Sequence, residues 1–390
     1  MRTEALRDIC EINPRFDNGR NPEEQCSFVS MEFVDDTFAE IARTETRPVT
    51  EVQKGYTPFK NGDVILAKIT PCMENGKCAI ARNLVNGIGF GSTEFHVMRA
   101  GELVIPKWIY YFVRQVSVRK KLERKMRGSA GQKRVPNDAV EELLLPLPQL
   151  PEQRRIAALL DKADHLRRTR RYAAQLSDTF LQAVFVRLFG DARTNPMAWD
   201  VEYFGDVCET RLGKMLDSKQ QTGKHLRPYL RNENVKWSKI DLADVQEMDF
   251  DEADREEFRL KAGDVLICEG GEVGRAAIWE DELPECYFQK ALHRARPNPD
   301  KARPEFVVQL MWALANSGGL VTSVSEVTFA HLTGVRLKEL AIPLPPLALQ
   351  QKFARIVRRF ERLRAQQREA ERQAEHLFQT LLHRAFSGEG

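Results

Sequence analysis

Leu143-Leu144-Leu145-Pro146-Leu147-Pro148 leads into Glu152-Gln153-Arg154-Arg155-Ile156, and 197 residues later Leu340-Ala341-Ile342-Pro343-Leu344-Pro345 leads into Gln350-Gln351-Lys352-Phe353. The same offset continues without a gap through Gln153/Gln350, Ala157/Ala354, Leu166/Leu363, Arg187/Arg384 and Phe189/Phe386. Upstream the match is looser. Asp8-Ile9-Cys10 answers Asp206-Val207-Cys208, Gly62-Asp63-Val64 answers Gly263-Asp264-Val265, and Gly76-Lys77-Cys78-Ala79-Ile80 answers Gly274-Arg275-Ala276-Ala277-Ile278. His96 and Arg99 answer His293 and Arg296. A period this long is far beyond a solenoid repeat, so the chain is a duplicated domain pair. The expected organisation is a variable region at 1–150, a long helix at 151–190, a second variable region at 191–348 and a second helix at 349–390.

The tails read as helices. Prolines punctuate their starts, no Gly or Pro interrupts them, and Gly190 and Gly388 follow their last turns. Steps of three and four from Ile156 reach Leu159, Ala163, Leu166, Arg170, Ala173, Ser177, Phe180, Val184 and Arg187. From Phe353 they reach Ile356, Phe360, Leu363, Gln367, Ala370, Ala374, Leu377, Leu381 and Arg384. Each helix should be ~37 residues and about 55 Å long. So narrow a stripe needs a partner, and the duplicated helix is the obvious one. A pseudo-two-fold axis pairs such copies antiparallel. The expected seam is Ile156, Leu159, Leu166 and Phe180 against Phe353, Ile356, Phe360, Leu363 and Leu377.

The variable regions read as mixed α/β. Gly62–Ala67 and Gly263–Cys268 each look like a turn entering a strand. Lys107 to Met126 and Glu305 to Leu314 look helical, with Ile109, Phe112, Val113 and Val116 on one face. The fold class is α+β: two mixed α/β domains joined by two long helices in an antiparallel coiled coil.

The chain has 390 residues, 42% hydrophobic and 29% charged. That suits folded domains rather than disorder. No apolar run approaches the ~18 residues of a membrane span. Met1–Ala5 lacks the apolar core of a secretory signal. The seven cysteines contain no CxxC pair, so neither zinc nor a disulfide framework is indicated. A cytoplasmic protein with reduced thiols is expected. Net charge is +3, but it is unevenly placed. Residues 152–188 hold eight Lys/Arg against four Asp/Glu, and residues 350–386 hold nine against four. The basic charge therefore sits on particular elements.

Catalytic patterns are missing. There is no G-x-x-x-x-G-K-[ST], no HExxH and no G-x-S-x-G. Asn13-Pro14-Arg15 and Asn195-Pro196-Met197 fail to form an Asn/Asp-Pro-Pro-aromatic run. Gly270-Gly271-Glu272-Val273-Gly274 reads as a hairpin turn. His96 and His293 sit among apolar neighbours and read as structural.

What remains is a binding signature. Residues 119–134 hold Arg119, Lys120, Lys121, Arg124, Lys125, Arg127, Lys133 and Arg134 against the single acid Glu123. Such a cluster repels itself unless solvated or neutralised, which points to a polyanion. Gln132, Lys133 and Arg134 combine an amide with cations, groups that read base edges. The second half has Thr328, His331 and Thr333 at the matching place. Its polar candidates lie in Tyr229-Leu230-Arg231-Asn232-Glu233-Asn234. One scaffold with two different polar loops suggests two sequences read by one chain.

The order of these parts resembles the specificity (S) subunit of type I restriction–modification systems, over essentially the whole chain. The residues that carry the resemblance are the two Leu-Pro runs with the Gln153 and Gln350 segments, Gly62 to Lys77, and Gly128 to Arg134. Leu349-Gln350 departs from the Glu-Gln pair usual in the family. The resemblance implies two target recognition domains, each reading half of a bipartite double-stranded DNA site. It implies DNA contacts from Lys68, Lys77, Lys120, Lys121, Gln132, Lys133 and Arg134 in the first domain. In the second domain the candidate contacts are Arg231, Asn232, Asn234, Arg275 and His331, the resemblance naming no residue there. The resemblance further implies two modification subunits that use S-adenosylmethionine to methylate adenine N6 on a flipped base. Restriction subunits would use ATP and Mg to cleave DNA. No catalysis, cofactor or metal is expected in this chain. A 55 Å spacer covers roughly 16 bp at about 3.4 Å per base pair, so the helices would set the gap between half-sites. Three rival readings are a methyltransferase in its own right, a stand-alone tandem DNA-binding regulator without methyltransferase partners, and a scaffold that does not bind DNA.

Overall fold

The Leu-Pro runs close their domains before the helices begin. Leu144–Pro146 pairs antiparallel with Thr3–Ala5, and Ala341–Pro343 pairs antiparallel with Val201–Tyr203. The prolines fit here because each of these sheets has only two strands, so both strands are edges. The computed structural model of the chain describes residues 2–16, 23–129, 131–177, 179–216, 221–320 and 331–387. Two compact units result: Met1–Ala173 with Gln367–Gly390, and Ala174–Gln366.

The elements that position the candidate site repeat. In the first unit they are β1 (Cys10–Ile12), β2 (Val64–Ala67), β3 (Cys78–Ile80), β4 (Phe95–Ala100), α1 (Pro106–Val113), α2 (Val116–Lys125) and α3 (Leu150–Ser177). Then follow α4 (Phe180–Phe189), β5 (Cys208–Leu212), β6 (Val265–Cys268), β7 (Ala276–Ile278), β8 (Leu292–Pro297), α5 (Pro304–Asn316) and α6 (Leu347–Ser387). The sheet orders are β1-β4-β2-β3 and β5-β8-β6-β7, all antiparallel neighbours. His96 lies opposite Leu66 and His293 opposite Ile267, so even the register is copied. The loop with Gly270 and Gly271 joins β6 to β7 as a hairpin, with positive φ at Gly271 and Gly274. A second sheet in each unit contains one parallel pair, Ile88–Gly91 with Gln25–Val29 and Tyr287–Phe288 with Leu226–Leu230.

The expected helix from Lys107 to Met126 is two helices. Arg114 and Gln115 separate α1 from α2, and Val116 is exposed at the start of α2 instead of joining the apolar face. The six residues Trp108–Val113 are all buried.

One buried glutamine anchors each long helix. Gln153 accepts from the Ile105 amide at 3.0 Å and donates to Leu103 O and Pro148 O at 2.9 and 2.8 Å. Gln350 accepts from the Arg303 amide at 3.0 Å and donates to Lys301 O and Pro345 O at 3.0 and 2.8 Å. Both are fully buried. Both side-chain polar atoms of each buried glutamine are thus answered.

Within the first unit α3 runs antiparallel to the last stretch of α6. Arg167 meets Glu375 at 3.0 Å and Arg171 meets Glu371 at 3.3 Å. Leu160 and Ala163 share a core with Phe378, Leu382 and Ala385. Phe386 packs on Trp108, ring centroids 4.4 Å apart. Within the second unit α4 runs antiparallel to the first stretch of α6. Phe180 stacks on Phe360 at 4.8 Å, and Phe185 and Phe189 pack against Phe353 and Phe306.

The seam matches the expected stripe in part: Ala163, Phe353 and Ala374 are buried on it and Phe180 meets Phe360, whereas Ala157, Leu160, Asp164 and Arg167 of α3 are buried one position past it. Phe353 is buried, and Ile156, Ile356 and Phe360 are half-buried. Leu159, Leu166, Phe180, Leu363 and Leu377 are exposed, Leu166 at 40% and Leu363 at 48%. The buried positions of α3 among the described side chains are Gln153, Ala157, Leu160, Ala163, Asp164 and Arg167. Those of α6 include Phe353, Ala374, Phe378, Leu382 and Ala385. Polar groups occupy heptad core positions because each finds a partner there. Arg114, Arg167 and Arg168 all contact the Asp164 carboxylate. Burial alone would raise the Asp164 pKa, but these three guanidiniums outweigh it and hold the carboxyl below its ordinary value. Ser177 and Gly388 fall outside what the structure describes of side chains and backbone respectively.

All seven cysteines are free. Among the described residues no helix is long and apolar enough to cross a membrane.

Candidate nucleic-acid interface

In the first unit the basic region and two loops meet at one end of the sheet, where the chain leaves the central strand β2 and enters the central strand β4. Arg127 and Arg134 pair antiparallel, exchanging both backbone bonds at 2.9 Å. Gly128 makes this pairing possible, since its φ is +130° and an added Cβ would lie 2.8 Å from Gln132 O. The pair is tied to the loop after β2. Thr70 N donates to Lys133 O at 3.0 Å, and Val135 N donates to Lys68 O at 2.8 Å. His96 braces the same junction from inside. Its Nε2–H donates to Val135 O at 2.9 Å, which leaves Nδ1 to accept from Asn13 at 3.3 Å. Burial pushes its pKa down to about 4, so the ring is neutral at neutral pH.

The eight cations of residues 119–134 divide by role. Arg119 lies half-buried across Gly76 and donates to Glu74 O at 2.9 Å. Lys125 pairs with Glu142 at 2.8 Å, Arg127 with Asp138 at 2.9 Å, and Arg134 with Glu94 at 2.9 Å. Lys120, Lys121, Arg124 and Lys133 are exposed and have no carboxylate partner among the described residues. Lys121, Arg124 and Lys125 line a groove of about 350 Å³ beside Glu142, and Lys120 is not part of its lining. Lys68 and Lys77 are half-buried, and Lys77 donates to Met31 O at 3.0 Å. Gln132 is exposed beside Lys133. Residue 130 lies outside the described residues.

This end of the sheet can attract a polyanion through four solvent-facing cations. It can also offer an exposed amide and a guanidinium to base edges. Lys68, Lys77, Gln132, Lys133 and Arg134 are brought together, with α2 held to them through Arg119.

The second unit corrects part of the expected set. Asn234 is buried, accepting from the Arg231 amide at 2.8 Å and donating to Asp241 O and Asp244 O, each at 2.9 Å. It braces a turn and has no face for DNA. Arg231 is neutralised by Asp244 at 2.6 Å and Glu233 at 3.0 Å. Arg275 holds Glu272 and Asn232 O, and Asn232 donates to Gly270 O at 3.0 Å. The polar run is therefore an internal brace. Asn232 and Arg275 find backbone partners 38 and 43 residues away, which a local pattern does not show. His331 is exposed and bridges Gly270. Thr333 caps the helix Gly334–Lys338, and Thr328 lies outside the described residues.

Sequence reasoning missed Glu94, which faces Arg134. Comparing position 94 with Ala291 in the repeat would have drawn attention to it.

The model of the type I restriction modification DNA specificity domain matches residues 1–173 and 196–374. The chain is 43% identical over 153 residues to the type I restriction enzyme EcoAI specificity subunit of Escherichia coli, covering 39% of this chain and 26% of that protein. It is 40% identical over 160 residues to the EcoEI specificity subunit of the same organism, covering 40% of this chain and 27% of that one. The match thus spans about a quarter of the length of these curated relatives. A chain solved to explain complex assembly and conformational transition of the type I R-M system superposes over 99% of this chain and 97% of its own. Its TM-score is 0.63 at 24% identity, a likeness of fold.

Proposed function

This chain belongs to the family of type I restriction modification DNA specificity domains, and from that premise we propose that it is the DNA-reading subunit of a type I restriction–modification complex. Each domain reads one half of a bipartite duplex site, and the paired helices set the gap. The subunit is not an enzyme. Two modification subunits dock on the helices and methylate adenine N6 with S-adenosylmethionine. Restriction subunits, where present, contribute ATP- and Mg-dependent cleavage.

One observation carries this reading. The two units share one backbone frame around the loop after the first central strand, yet present different side chains from it. The first offers Gln132, Lys133 and Arg134, and the second offers His331 at the place of Arg134. A scaffold kept constant while its exposed tip varies is what reading two different half-sites requires. The four cations of the first unit that have no carboxylate partner among the described residues supply sequence-independent attraction to the backbone.

Exposed apolar residues on the helices support a docking role. In the first unit these are Leu159, Leu166, Tyr172 and Leu377, and in the second Leu176, Val186 and Leu363. They lie outside the buried seam, where a partner subunit can cover them.

Selection from a randomised duplex library with the purified chain, alone and with co-expressed modification subunits, tests the proposal. Two short conserved blocks at a fixed spacing are expected, and methylome sequencing of a host carrying the system should return the same motif. A single contiguous block, or no enrichment, would overturn it.

A further inference from the structure

Arg134 and Glu94 form the most closely matched polar pair at the candidate interface. Arg134 Nε donates to both carboxylate oxygens at 3.0 Å, and Nη2 donates to Oε1 at 2.9 Å. Nη1 donates to Gln132 O at 3.2 Å. Both partners are fixed in the backbone. Glu94 O accepts from Lys68 N at 2.9 Å, and Arg134 pairs with Arg127 and bridges Ile69.

The duplication shows that this pair is not needed to hold the frame. In the second unit Glu269 N donates to Ala291 O at 3.0 Å, as Lys68 N does to Glu94 O. Leu332 N donates to Glu269 O, His293 braces Leu332 O at 2.7 Å, and Gly270 bridges His331. These match Val135 N to Lys68 O, His96 to Val135 O, and Ile69 to Arg134. The frame is complete with Ala291 and His331 where the first unit has Glu94 and Arg134. Both members changed together, and the frame survived.

The pair is also a poor phosphate clamp. Its charges cancel, so it offers a phosphate little net attraction. Its geometry suits a base. Nε and one hydrogen of Nη2 go to Glu94 and one hydrogen of Nη1 goes to Gln132 O, which leaves one donor on each of Nη1 and Nη2 as a fork. That fork matches the O6 and N7 acceptors of guanine in the major groove.

We propose that Glu94 and Arg134 act as one unit that reads a guanine in the half-site of the first domain, Arg134 making the contact and Glu94 serving as its positioning residue. The proposal rests on the DNA-reading function above. In the second domain the same place is held by a single imidazole, so the corresponding base need not be guanine.

The test is selection from a randomised duplex library by the full chain, followed by competition titrations against single-base variants of the site. Arg134→Ala, Arg134→Lys and Glu94→Gln should each relax one guanine position of one half-site. Its preference should fall from roughly ten- to a hundredfold toward none, the range of one lost bidentate contact. The other half-site should keep its sequence. Arg134→Lys is decisive against a charge-only role, since lysine keeps the cation and loses the fork. Preserved guanine preference in Glu94→Gln, with loss in Arg134→Ala, would remove Glu94 from the reading unit. A uniform affinity loss in Arg134→Ala, with the base preference intact, would overturn the proposal while leaving DNA reading in place. If the unsubstituted chain selects no sequence, the DNA-reading function itself fails.

Discussion

Glu305 accepts a 2.7 Å hydrogen bond from Nε of Arg358, and the corresponding pair in the first unit carries the opposite charges. There Lys107 on α1 holds Asp161 on α3. The positions correspond, because Lys107 and Glu305 each follow by two the amide held by the anchoring glutamine, Ile105 and Arg303. A long helix docked on the wrong repeat would set Lys107 against Arg358 and Glu305 against Asp161. Like charges at both contacts would disfavour that arrangement.

Exchange of the charges within one unit tests this. Arg358→Asp should destabilise the second unit by about 1–3 kcal/mol, because Glu305 is buried and would face a second carboxylate. Adding Glu305→Lys recreates the arrangement of the first unit and should recover most of the loss. Denaturant midpoints of the four proteins in the cycle give the coupling. Strictly additive losses would show that the two residues do not interact.

Gln153→Ala removes one acceptor and two donated bonds at once. It leaves Ile105 N, Leu103 O and Pro148 O without their partner. The expected cost is about 2–4 kcal/mol, several times that of an exposed polar deletion. Gln350→Ala should cost a similar amount, because its three bonds are the same. A near-neutral result for either, by chemical denaturation, would mean that water replaces the glutamine without loss.

These glutamines explain why the duplication was legible. Each satisfies three backbone groups, so neither position tolerates drift, and the flanking Leu-Pro runs pair in fixed register with the start of their domains. The seam was less legible. Apolar spacing selects Leu159 and Leu166, whereas Asp164 and Arg167 occupy the buried positions through pairing with Arg114, Arg168 and Glu375. Polar burial of this kind needs partners far away in sequence. The candidate interface divided in the same way. The basic run of residues 119–134 was visible as composition, but Asn234 and Arg231 read as binding groups because their local partners, Asp241 and Asp244, carry no signal of their own.

His96 sets a pH dependence. Its folded pKa is about 4, and burial is the cause. The unfolded ring titrates near its ordinary 6.5, so between these values the unfolded state binds more protons and stability rises with pH. The contribution is complete above about pH 6.5 and is lost as pH falls toward 4. From pH 7 to 5 the first unit should lose about 2 kcal/mol through this group. Unfolding of the full chain at both pH values, compared with His96→Gln, measures the difference. If the variant shows the same pH slope as the unsubstituted protein, His96 does not titrate as described.

The last prediction separates folding from assembly along the helices. Leu160 is fully buried among Ala163, Phe378 and Leu382, while Leu166 further along the same helix is 40% exposed. Leu160→Asp places a carboxylate in that core and should cost several kcal/mol, enough to melt the helix contact in the first unit. Leu166→Asp should change stability by less than about 1 kcal/mol, since the new charge reaches water. Its effect should instead appear in size-exclusion chromatography with the modification subunits, where a charged residue on the proposed docking face weakens the complex. Leu159→Asp and Leu377→Asp, equally exposed, should behave as Leu166→Asp does. If all three leave both melting temperature and co-elution unchanged, the exposed leucines of the first unit are ordinary surface residues and the modification subunits dock elsewhere. If Leu166→Asp unfolds the unit, the buried stripe has been placed one position wrong and Leu166 belongs in the seam after all.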